Sequence, residues 1–186
     1  MIEVPEDRCE RHRLFEAIDK AFKAGDFDAL ALALENAPRW VDEDMPFELG
    51  LGRPLEYAIY WSPLGFIEAL IEAGSSVNYD GAGFPALIAT LSTDRHGRGD
   101  RLDVLNLLIR HGVDLNQRGL NDWTPLHYAT NLRDLEAMRL LLEAGADPRL
   151  RTRIDECSTP LEDAEAAGFT EGASLLRRAT AGAHGD

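Results

Sequence analysis

Apolar residues recur along this chain in short blocks at three- and four-residue spacing, and each block is closed by a polar or glycine break. The clearest lies between Asp122 and Pro148. Leu126 and Ala129 share one helical face, Asn131-Leu132-Arg133-Asp134 interrupts it, and Leu135, Met138, Leu141 and Leu142 resume it up to Gly145. The pattern predicts two short helices joined by a turn. Thr124 can cap the first with its hydroxyl, Pro125 suits the first helical position, and Gly145 can end the second in a left-handed cap. Isolated helices shorter than roughly 12–15 residues are marginal in water, so neighbouring units have to supply the burial.

The neighbours carry the same grammar. Pro54-Leu55-Glu56-Tyr57-Ala58, Pro85-Ala86-Leu87-Ile88-Ala89, Pro125-Leu126-His127-Tyr128-Ala129 and Pro160-Leu161-Glu162-Asp163-Ala164 align on the proline. Gly74, Gly112 and Gly145 end the second helices and are followed by Ser-Ser-Val-Asn, Val-Asp-Leu-Asn and Ala-Asp-Pro-Arg. From Thr124 to Ala129 the chain resembles the ankyrin repeat, a unit of about 33 residues with the signature T-P-L-H-x-A. Thr159 opens a partial second match, and Arg53 and Phe84 replace the threonine elsewhere. The resemblance extends over roughly residues 14 to 178. It implies an all-α solenoid of stacked helix-turn-helix units with extended finger loops, binding a partner protein on the concave face formed by fingers and first helices.

Landmark spacing sets the expected divisions. Pro54 to Gly74 and Pro125 to Gly145 are each 20 apart, whereas Pro85 to Gly112 is 27. Seven extra residues therefore sit in an insertion at 92–101, whose glycines and charges predict an exposed loop. Leu14, Phe15, Ile18, Ala21 and Phe22 form one stripe of a degenerate capping unit at 10–38. Repeats are expected at about 48–80, 81–116, 120–150 and 155–178, in one domain spanning 1–178. Residues 179–186 read as a flexible tail, after a last helix weakened by Gly172.

Charge narrows the partner. Acidic residues outnumber basic ones 33 to 19, a net charge of −14, which argues against a nucleic-acid backbone and favours a basic protein. Residues 1–48 carry −7, residues 49–148 carry −5 and residues 149–186 carry −2. No apolar run approaches the roughly 20 residues of a membrane span. Cys9 and Cys157 imply no disulfide framework, so a cytoplasmic monomer is expected. Lys20 and Lys23 are the only lysines, a bias that suits a GC-rich bacterial genome.

The chemistry of catalysis is thin. None of the phosphate-cradling, dinucleotide, nucleophile-elbow or zinc-helix motifs occurs. Cys9 and His12 lack the second pair a structural zinc site needs, and no cofactor is implied. His127 reads as a structural partner of Thr124, Glu162, Asp163 and Glu165 suit a helix N-terminus, and Arg98-Gly99-Asp100 is too short to carry meaning. On the family pattern, contact positions are the finger residues and the ends of the first helices. They comprise Tyr60, Trp61, Tyr79, Arg118, Leu120, Asn121, Trp123, Asn131, Arg151 and Arg153, with the aromatic ones as anchors. Arg149, Arg151 and Arg153 are also weighed as a site for an acidic segment, against pairing with Asp147, Asp155 and Glu156. A binding module is the leading reading; an acidic immunity-type inhibitor of a basic toxin or enzyme is the alternative.

Overall fold

The computed structural model describes residues 5–34, 45, 52–78, 84–119, 122–153 and 157–182. They form five helix pairs: α1 (Arg8–Ala24) with α2 (Phe27–Ala33), α3 (Pro54–Trp61) with α4 (Leu64–Glu72), α5 (Ala86–Ser92) with α6 (Arg101–Arg110), α7 (Pro125–Asn131) with α8 (Leu135–Ala144), and α9 (Pro160–Ala166) with α10 (Thr170–Gly182). The described residues contain no strand. First helices α1, α3, α5, α7 and α9 touch in order, as do second helices α4, α6, α8 and α10, which makes two helical layers. The fold is the all-α repeat stack that the resemblance implied.

Local chemistry sets the helix ends. Pro54, Pro125 and Pro160 open their helices, while Pro85 falls one residue before α5. Thr124 and Thr159 each form a reciprocal capping box, with His127 and Glu162. Gly74, Gly112 and Gly145 adopt φ of +111°, +77° and +105°. The residue after each returns its N–H to the preceding turn, Ser75 to Leu70, Val113 to Leu108 and Ala146 to Leu141. These bonds satisfy carbonyls that a helix end otherwise leaves open.

The core runs without a break from Ile18 and Phe22, through Leu55, Leu70, Leu87, Leu105 and Leu126, to Met138 and Leu176. Phe22 joins the first pair to the second, edge-on to Tyr57 at 5.0 Å and to Phe66 at 5.6 Å. The Tyr57 hydroxyl donates to Asp19 at 2.5 Å, and Lys23 pairs with the same carboxylate at 2.8 Å. Burial, and then Asp19, make Tyr57 harder to ionise. Burial works against the Asp19 carboxylate too, but the bonds from Lys23 and Tyr57 win and keep it charged.

The fingers are stitched by asparagine. Asn78 Oδ1 accepts the Asp114 N–H at 2.6 Å and its Nδ2 donates to the Gly112 carbonyl at 2.9 Å. Asn116 Oδ1 accepts the Asp147 N–H at 3.0 Å one unit further on. Both asparagines stand four residues after a terminating glycine. Arg149 holds that place in the next unit and turns back onto Asp147 at 3.0 Å, so the ladder stops there.

The last helix departs from expectation. Phe169 occupies the space that a side chain at Gly172 would fill, since a Cβ there would lie 2.4 Å from its ring. Ala173 and Leu176 are buried, and the helix runs on to Gly182, with the Thr180 hydroxyl donating to the Leu176 carbonyl at 2.9 Å. The part of the expected tail up to Gly182 is thus helical. Residues 183–186 lie outside the described residues.

His127 ties two units together. It is fully buried, with Nδ1 2.8 Å from the Thr124 hydroxyl and Nε2 3.1 Å from the Ser158 carbonyl. A carbonyl only accepts, so Nε2 carries the proton and Nδ1 accepts. Burial lowers the His127 pKa from its ordinary 6.5. The folded chain therefore takes up this proton less readily than the unfolded one, so the contribution is complete above that value and declines as pH falls below it. We expect urea unfolding to show less stability at roughly pH 5.5 than at roughly pH 7.5, within the window where histidine titrates. His127→Gln should flatten that slope and cost about 1–3 kcal/mol at the higher pH; identical slopes for both proteins would clear His127 as the source.

Candidate functional site

Leu32, at 73 % exposure, and Trp61, at 43 %, are the large apolar side chains most open to solvent among the described residues. Trp61 closes α3, and its surroundings are built from three units. The Tyr60 ring lies 6.5 Å from it, and the Tyr60 hydroxyl shares a hydrogen bond with Ser92 at 2.9 Å. Burial raises the Tyr60 pKa, so the phenol stays protonated. His96 presents its ring edge-on to Tyr60 at 5.4 Å and to Trp61 at 5.3 Å. The Lys23 ammonium stands 5.4 Å over the indole.

His96 belongs to the insertion, which is exposed at His96, Gly97 and Gly99 as its composition predicts but is anchored on either side of them. Thr93–His96 forms a 3-10 turn, and Thr93 is fully buried with its hydroxyl on the Thr90 carbonyl at 2.6 Å. The Arg98 side chain is 8 % exposed. Its Nη1 donates to the Ile59 carbonyl at 2.9 Å and the Ser62 carbonyl at 2.8 Å, capping the end of α3, and its Nη2 donates to Asp100 at 3.0 Å. Buried arginine reaching open carbonyls explains the anchoring, because a charge drawn out of water holds firmly to such partners. The Arg98-Gly99-Asp100 tripeptide is spent on this clamp.

Trp123 sits half-buried in the following finger, edge-on to Tyr128 of α7 at 6.1 Å. That finger is tight. Gly119 donates to the Trp123 carbonyl at 2.9 Å, and its backbone lies so close to Ile88 that a Cβ would approach within 2.7 Å. Asp122 occupies the left-handed region at φ +58° with its carboxylate turned inward. Arg118 reaches it at 2.6 Å, and Arg153 arrives from the next finger through Nη2 at 2.6 Å, Nε at 2.9 Å and its own backbone N–H. The bonds from Arg153, foremost, hold the Asp122 carboxyl below its usual range.

Arg151 grips Glu162 through both guanidinium arms, at 2.9 and 2.7 Å, and donates to the Cys157 carbonyl at 2.8 Å. Glu162 is thereby also held below its usual range. Pairing thus accounts for all three finger arginines. Arg149 takes Asp147, as the sequence offered, and Arg151 and Arg153 reach Glu162 and Asp122, partners further away in sequence. Asn131 is exposed where α7 ends. Tyr79, Leu120 and Asn121 lie outside the described residues, as do Asp155 and Glu156. The structure therefore brings Tyr60 and Trp61 together, sets Trp123 against Tyr128, and places Arg118, Arg151 and Arg153 in clips between chain segments. Sequence reasoning did not find His96 or Lys23 beside Trp61, because only the folded insertion and the docking of α1 on α3 bring them there. Cys9 is exposed and His12 faces Glu16 at 3.4 Å.

A family model for ankyrin repeats, in three copies, matches residues 86–184, just over half of the chain. The chain belongs to the ankyrin-repeat family. It is 31 % identical over 109 residues to ankyrin repeat protein nuc-2 of Neurospora crassa, covering 58 % of this chain and 9 % of that one. It is 35 % identical over 102 residues to ankyrin repeat and KH domain-containing protein mask-1 of Caenorhabditis elegans, covering 54 % and 4 %. It is 32 % identical over 69 residues to protein phosphatase 1 regulatory subunit 12A of Mus musculus, covering 37 % and 7 %. The chain spans less than a tenth of the length of each of these relatives. Ankyrin arrays are in general non-enzymatic protein-interaction modules, and no helix among the described residues is long and apolar enough to cross a membrane.

Removing the clamp should loosen the insertion. Arg98→Ala leaves two carbonyls of the α3 end without a donor and is expected to cost about 1–3 kcal/mol. Limited trypsin digestion should then cut faster after Arg95 and Arg101 than in the native chain. Unchanged cutting would show that the insertion is held by its 3-10 turn alone.

Proposed function

We propose that this ankyrin array holds a partner protein, as a monomer in the cytoplasm, on the surface made by its first helices and fingers, with Trp61 as the principal anchor. The observation that carries this reading is the Tyr60–Trp61–His96 cluster. Its indole stays open to solvent although three units and a clamped insertion converge on it. Aromatic groups held rigid before contact lose little freedom on binding, which is why they dominate interface energies. Trp123, seated on Tyr128, is a second anchor, and exposed Asn131 is a polar contact at the end of α7. Tyr79, Leu120 and Asn121, which are contact positions on the family pattern, are proposed as further contacts. Arg118, Arg151 and Arg153 shape the fingers through internal pairs and contribute to binding by position rather than by free charge.

The net charge of −14 favours a second, narrower reading: an inhibitor of the immunity type that captures a basic protein. Finger arginines matched inside the chain leave the field at the surface acidic, and an acidic field speeds encounter with a basic partner.

Affinity capture from the native host tests both readings, with the wild-type chain beside a Trp61→Ala, Trp123→Ala double variant matched for helical content. A partner lost from the variant, with affinity reduced on the order of a hundredfold, is the expected result for two aromatic anchors. A basic partner whose association slows steeply with added salt would favour the inhibitor reading. A partner retained equally by the variant overturns the anchor assignment.

A further inference from the structure

Between the second helices α8 and α10, on the layer away from the aromatic cluster, lies a groove of about 290 Å³. Leu135 and Arg139 line it one turn apart on α8. Thr170, Glu171, Ser174, Leu175 and Arg178 line it at one-turn intervals on α10. Both helices open with an uncharged residue at the groove, and both carry the arginine further along.

Those two arginines differ from the rest of their half of the chain. From Arg98 onward, the described arginines otherwise each reach a carboxylate or a carbonyl. Arg98, Arg101, Arg110, Arg118, Arg149, Arg151, Arg153 and Arg177 meet acidic side chains, and Arg133 donates to the Ala167 carbonyl. Among the described residues Arg139 and Arg178 have no such partner, in a chain with fourteen more acidic than basic groups. Two guanidinium groups left unmatched on one groove repel each other, and a shared anion relieves that repulsion. Leu135 and Leu175 give the same groove an apolar element, and Thr170 and Ser174 line it with hydroxyl-bearing residues. Glu171, in the first turn of α10, suits the positive end of the helix.

We propose that this groove is a second protein-binding site, and that its occupant is an acidic segment of a partner that presents a carboxylate beside an aliphatic side chain. The carboxylate bridges Arg139 and Arg178, and the aliphatic group rests on Leu135 and Leu175. Arginine suits this task because its planar fork matches a carboxylate through two parallel bonds. The site lies on the opposite helical layer from Trp61 and does not depend on the aromatic anchors.

The full chain, labelled with 15N, is titrated with a blocked 12-residue peptide of glutamate and leucine. The same peptide with glutamine for glutamate, and inorganic phosphate alone, are titrated separately. We expect the acidic peptide to shift the Arg139 and Arg178 Nε–H signals and the Ser174 and Leu175 amides together. Arg139→Gln with Arg178→Gln should weaken its binding by roughly tenfold or more, as for loss of a charge-assisted pair, while Trp61→Ala leaves it unchanged. Both arginines are exposed, so the double variant keeps its fold. Equal binding of the glutamine peptide, shifts spread over all exposed arginines, saturation by phosphate with no peptide effect, or an unchanged double variant would each overturn the proposal. So would concentration-dependent shifts without peptide, which would make a second copy of this chain the occupant.

Discussion

Burial between neighbouring helix pairs is the constraint from which the rest of this molecule follows. The repeat helices α3, α5, α7 and α9 are seven or eight residues long, and none could persist alone in water. Each leans on the helix before and after it, so the core is a chain of interfaces rather than a centre. Truncating a buried leucine such as Leu126 or Leu141 therefore damages two contacts, within a unit and between units. Polar side chains add register to this apolar stacking. His127 reaches forward to Ser158, Asn78 to Asp114 and Asn116 to Asp147, so adjacent units meet at one height.

Much of this was legible in the sequence because the repeat is a local grammar. Proline, threonine and glycine mark helix ends by their own backbone and capping preferences, and the structure puts Thr124, Pro125 and Gly145 in those roles. The array's weakest-looking part was misjudged for a physical reason. Gly172 looked like a gap in a helix stripe, yet the gap exists to admit the Phe169 ring. Composition likewise missed how the insertion is anchored, since Arg98 counts as a solvent-loving residue until two carbonyls of a different unit are known to lie within its reach.

The candidate surface was legible in its anchors and hidden in its assembly. Tyr60 and Trp61 follow from their place at the end of a first helix. The ring of His96 and the ammonium of Lys23 come from segments 35 and 38 residues away from Trp61, brought near only by stacking. Arginine pairing was anticipated in kind, and in partner for Arg149 with Asp147, but not for Arg151 and Arg153, whose partners Glu162 and Asp122 are distant in sequence and adjacent in space. Local acidic neighbours are a poor guide where successive fingers lie side by side.

The asparagine stitch gives the array a direction. Each asparagine hands a carbonyl oxygen to the backbone of the following finger, and Arg149 has nothing equivalent to offer. A unit duplicated upstream of that point inherits a clasp on both sides. The α9–α10 pair that comes after Arg149 is fastened by other means, Arg151 on Glu162 and His127 on the Ser158 carbonyl, so the array changes its clasp between the fourth pair and the fifth.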